Sequence, residues 1–145
     1  MAIREWVRQR LKKQAEQEEA RVRIKNACPE VWDGLRIAVK EGIEEYRDVK
    51  KWGRYEFNGG GSNVFSAAHS ADTPNTNTLL KKLVLKLEDE RITVTYSGPE
   101  VKHEPISITF AVDEKTEQVT LFREGNLTTE QAAIAVLQPF LFPEL

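Results

Sequence analysis

His69, with Ser66, Ser70 and Asp72 around it, is the nearest this chain comes to a nucleophile, a base and an orienting acid in one segment. Catalytic triads are assembled from separate parts of a fold, however, and four such residues in one polar stretch are ordinary loop composition. His103 and Glu104 stand between Pro99 and Pro105, which marks a second surface loop. The two histidines lie far apart, and neither a His-x-x-x-His nor a Cys-x-x-Cys spacing occurs, so no metal site is expected.

Gly59-Gly60-Gly61 could let backbone N–H groups approach a phosphate. A phosphate loop would continue into Gly-Lys-Ser/Thr and a helix, whereas here Asn63-Val64-Phe65 follows with strand signal. The glycines therefore read as a hairpin turn. The carboxylates Glu41, Glu44, Glu45, Glu88, Asp89 and Glu90 fall on turns and helix faces, where charge serves solvation. No catalytic residue, metal ligand or cofactor is expected, and no ligand-binding residue stands out.

Cys28 is the single cysteine, so no intrachain disulfide can form, and the reducing cytoplasm is the expected compartment. Met1 to Gln14 alternates charged and apolar residues where a signal peptide would be continuously apolar, so the mature chain is expected to begin at or near Met1. No apolar run approaches the roughly 20 residues of a membrane span. The net charge of −2 argues against a general polyanion binder. It is unevenly spread: residues 1–26 hold eight basic and four acidic side chains, a net +4, which leaves −6 for the remainder.

The elements that must carry these residues fall into blocks. Ile3, Val7, Leu11 and Ala15 recur at i+4 and make a narrow apolar stripe on a first helix, with Trp6 at its edge and Glu18 interrupting it. Pro29 is expected to start a second helix, because proline suits a first helical position and disfavours helix in the residue before it. Val31, Trp32, Leu35, Ala38, Val39, Gly42, Ile43, Tyr46 and Val49 give that helix a wider apolar face, with Gly42 permitting close approach of another backbone.

From Arg54 the period changes to two, and strands follow one another through turns as far as Phe122, with His69 to Thr78 expected as an exposed loop. Thr128 and Gln131 then form a capping box for a last helix, which Pro139 is expected to end. The apolar tail from Phe140 to Leu145 should dock on the body or on a second chain. Successive strands without intervening helices pair antiparallel. The predicted fold over residues 1–145 is therefore one α+β domain with two N-terminal helices, a curved antiparallel meander of five or six strands and one C-terminal helix.

In order of elements alone, this layout resembles the helix-grip ligand-binding folds, although the strand those folds carry before their helices is missing here. Two functions are expected from these features. The first is a non-catalytic interaction or regulatory module that self-associates or receives a protein partner through Ile3, Trp6, Val7, Leu11, Phe140, Leu141 and Phe142. The second is a small-molecule binding protein with its cavity between sheet and helices. Nucleic acid is not expected as a partner and a membrane surface is disfavoured, because Glu16, Glu18 and Glu19 reverse the charge of the basic helix.

Overall fold

The computed structural model describes residues 2–59, 62–71 and 78–144. Its first element is a single helix, α1, from Ala2 to Lys50. The two helices expected on either side of Pro29 are thus one. Proline removes one i→i−4 hydrogen bond and its ring crowds the preceding turn. Pro29, however, lies on the exposed side of α1, as does Lys25, whose carbonyl loses its donor. Ile24 on one side and Trp32, Leu35, Val39 and Ile43 on the other are buried, and this packing keeps the helix continuous through the proline.

Seven strands follow: β1 (Arg54–Asn58), β2 (Val64–Ser70), β3 (Leu79–Glu88), β4 (Arg91–Ser97), β5 (Ile106–Val112), β6 (Val119–Phe122) and β7 (Asn126–Leu127). They form one antiparallel sheet in the order β1 to β7, so the meander is as expected with one further short strand. The register lines up the inward residues in rows. Phe57, Ala67, Leu83 and Tyr96 make one row, Phe65, Leu85, Val94 and Ile106 the next, and Leu87, Ile92 and Ile108 a third. Alternate residues such as Ser66, Lys82, Thr93, Thr95 and Ser107 point from the opposite face, which is accordingly polar.

The last helix, α2, runs from Thr129 to Leu141. Its capping box is complete: the Gln131 N–H donates to Thr128 Oγ1 at 3.1 Å, and the Thr128 N–H donates to Gln131 Oε1 at 2.9 Å. Pro139 does not end the helix, which continues one residue pair beyond it to Leu141. Phe140 and Leu141 are buried, and their packing outweighs the lost backbone bond.

Both helices lie on the same face of the sheet, and they run parallel. Gly34 lies by Thr129, Gly42 by Leu137 and Tyr46 by Phe142. A Cβ on Gly42 would lie 2.5 Å from Leu137 Cδ1, so glycine is what allows this close crossing. The space between helices and sheet is filled by Leu35, Val39, Ile43, Phe65, Leu83, Leu85, Ile92, Val94, Ile108 and Val136, none of which has more than 1% of its surface exposed.

Candidate functional site: a projecting helix and an apolar groove

His69 does not lie in a loop. Phe65, Ala67 and His69 alternate inward along β2, and the strand continues through Ser70, so the imidazole is carried into the protein with only 3% of its surface exposed. The polar composition of the following residues hid this extra length of strand. The ring stacks on Tyr55 with centroids 4.2 Å apart and meets Trp52 edge-on at 5.2 Å. Its Nε2–H donates to the carbonyl of Trp52 at 3.1 Å. Nδ1 of His69 and the hydroxyl of Tyr55 have no partner among the described residues.

Lys81 continues this row on β3, directly opposite His69. It is also buried, and sequence reasoning gave no sign of it because a lysine in a strand ordinarily faces solvent. Burial depresses the pKa of His69 and, with Lys81 adding to the effect, outweighs the bond that His69 donates to the Trp52 carbonyl, which favours the charged form. Burial likewise lowers Lys81, and it pushes the Tyr55 phenol up to about 12.

His69 is withdrawn from solvent, whereas Lys81 lines a pocket of about 600 Å3 together with Tyr46, Lys50, Glu100 and Phe142. Ser66 and Ser70 alternate with His69 on β2 and project from the other face of the sheet, so neither can serve it as a nucleophile. Asp72 lies outside the described residues, as do Gly60 and Gly61 of the glycine turn. His103 is exposed in a loop, with Nδ1 2.7 Å from the carbonyl of Glu104 and its ring edge-on to Tyr96. Burial, with the Glu90 carboxylate adding to it, raises the Cys28 thiol, which holds it protonated at neutral pH and unsuited to nucleophilic attack. Among the described residues no three His, Cys, Asp or Glu side chains form a group that could hold a metal ion.

The unpaired surface lies elsewhere, on the helices. Residues 2–19 of α1 are exposed all the way round, so this part of the helix projects beyond the sheet. It carries Ile3, Val7 and Leu11 at i+4 spacing, with Ile3 76% exposed, and the Arg10 guanidinium lies 5.6 Å from the Trp6 ring centre. Phe142 is exposed as well. Phe140 and Leu141, expected to share this surface, are instead buried in the core of their own chain, because i+4 spacing turns Val136 and Phe140 inward together.

A groove of about 600 Å3 runs along the outer side of the α1 and α2 pair, lined by Gly42, Tyr46, Val49, Ile134, Leu137 and Phe142. Val49 is 69% and Ile134 63% exposed, large values for apolar side chains on packed helices. Glu45 and Lys50 stand at its edge. Glu41 and Glu130 are exposed one helical turn before Glu45 and Ile134, and α2 contains no basic residue. Glu41, Glu45 and Glu130 take part in no ion pair among the described residues.

No helix among the described residues is long and apolar enough to cross a membrane. No protein-family model matches the chain, and neither a curated protein nor a solved structure is significantly similar to it.

Proposed function

We propose that this protein is a non-catalytic interaction module that self-associates through its helices. One observation carries the reading: about twenty residues of α1 stand free of the sheet and still hold an apolar stripe at helical spacing. That part of α1 buries none of its apolar side chains on the body of the protein, so a partner against the stripe supplies stability that the body does not. The burial of His69, whose ring meets Tyr55 and Trp52, supports the absence of catalysis by that histidine. The centre of the space between helices and sheet is filled, which favours an interaction role over a ligand held there, and the pocket of about 570 Å3 between α1 and the turns at Ser62 and Asp89 lies at its margin.

Light scattering across a range of protein concentrations tests the proposal. A mass above the chain's 16.6 kDa is expected, falling to the monomer value in the double variant Val7→Glu, Leu11→Glu. Both sites are exposed, so the fold should survive the change. A wild-type chain that remains monomeric at high concentration refutes self-association. Binding of that monomer to anionic lipid vesicles would assign the basic stripe to a membrane surface instead.

A further inference from the structure

The self-association proposed above leaves open what the stripe touches, and the structure supplies a surface of opposite character. Residues 2–13 hold Arg4, Arg8, Arg10, Lys12 and Lys13 against Glu5 alone, and none of these six takes part in an ion pair among the described residues. The groove between α1 and α2 is apolar along its floor; Glu45 and Lys50 line it, Glu41 and Glu130 are exposed one helical turn away, and Arg123 lines a neighbouring pocket with Ile134 and Phe142. A basic helix with an apolar stripe and a groove with an apolar floor, flanked by the unpaired Glu41, Glu45 and Glu130, are complementary in hydrophobicity and, along that flank, in charge.

Their lengths agree too. Ile3 to Leu11 spans about 12 Å of helix, and Gly42 to Val49 about 10 Å. The two surfaces cannot meet within one molecule. They lie on the same unbroken helix, with Leu11 and Gly42 31 positions, or about 46 Å, apart.

We infer that the groove formed by Gly42, Tyr46, Val49, Ile134, Leu137 and Phe142 receives the Ile3, Val7, Leu11 face of α1 from a second copy of the chain. This inference rests on the self-association reading and gives it a partner surface. If each copy both inserts its helix and accepts its partner's, the contacts are reciprocal and the assembly closes as a dimer.

The test mixes two defective chains. The groove variant carries Val49→Glu and Ile134→Glu, both at exposed sites, and the stripe variant carries Val7→Glu and Leu11→Glu. Each alone should associate at least ten-fold more weakly than wild type. A mixture of differently tagged variants should restore a heterodimer, because one intact helix and one intact groove remain between them. Circular dichroism and the unfolding midpoint of each variant establish that it is folded. The single variant Glu45→Lys, which leaves the apolar floor untouched, should weaken association several-fold and flatten its dependence on salt.

Groove variants that associate as well as wild type, or a mixture that recovers no heterodimer, overturn the groove assignment while self-association stands. Such results would point to packing of one projecting helix against another. A monomeric wild-type chain overturns both readings.

Discussion

Lys81 of β3 donates its ammonium to the backbone carbonyl of Phe140, 2.6 Å away in the last turn of α2, and thereby ties the middle of the sheet to the end of the chain's last helix. The same ammonium lies 4.8 Å from the Phe140 ring centre and 5.6 Å from that of Tyr46 on α1. One buried cation thus holds three elements together. The Phe140 carbonyl is among the last four of α2, the group of carbonyls that lack a helical donor.

Replacing Lys81 removes both the donor and the charge. Lys81→Met keeps most of the apolar stem but leaves the carbonyl unbonded, and hydrogen bonds from charged groups contribute about 1.5 to 3 kcal/mol. The variant should lose about 2 kcal/mol in urea unfolding, and hydrogen exchange should rise chiefly in the last turn of α2. A stability equal to wild type, with unchanged exchange at Leu141 and Phe142, would show that the bond contributes nothing net.

His69 predicts a pH dependence of defined sign. Its native pKa lies below the 6.5 of an unhindered imidazole, chiefly through burial. The unfolded chain therefore takes up a proton at a higher pH than the folded one does. The stabilising contribution is complete above about pH 6.5 and is lost as pH falls through the lower native value, by at most about 1.4 kcal/mol per pH unit for one proton. Lys81 adds to the depression and Glu100 opposes it. His69→Phe can keep the stack on Tyr55 without the titration, so the stability difference between the two chains should change between pH 7 and pH 5. A constant difference over that range contradicts the argument.

Leu35 is fully buried at the centre of the packing between α1 and the sheet. Leu35→Ala should cost about 2 to 5 kcal/mol, through lost burial and the cavity left behind. Denaturant unfolding measures it directly, and a loss under about half a kcal/mol would mean that the site collapses around the smaller side chain.

Much of this fold was legible in local pattern. The change of period near Arg54, the alternation that fixes strand faces and the Thr128 and Gln131 box are all set by near neighbours, and each stands where the sequence places it. The apolar face of Trp32, Leu35, Val39 and Ile43 was equally plain, whereas the close approach at Gly42 is made by the Leu137 side chain and not by the backbone expected there.

Three features were decided by tertiary structure. Pro29 and Pro139 are local helix breakers, yet both helices run through them because distant partners bury the residues on each side. His69 and Lys81 carry polar side chains that sequence assigns to solvent, yet strand register places them opposite one another, beneath Tyr55, Tyr46 and Phe140. The groove between Val49 and Ile134 requires two helices that are distant in sequence to lie parallel. Apolar period tells which face of a helix will be buried, but what covers that face, and where the cover ends, depends on elements whose packing no local pattern records.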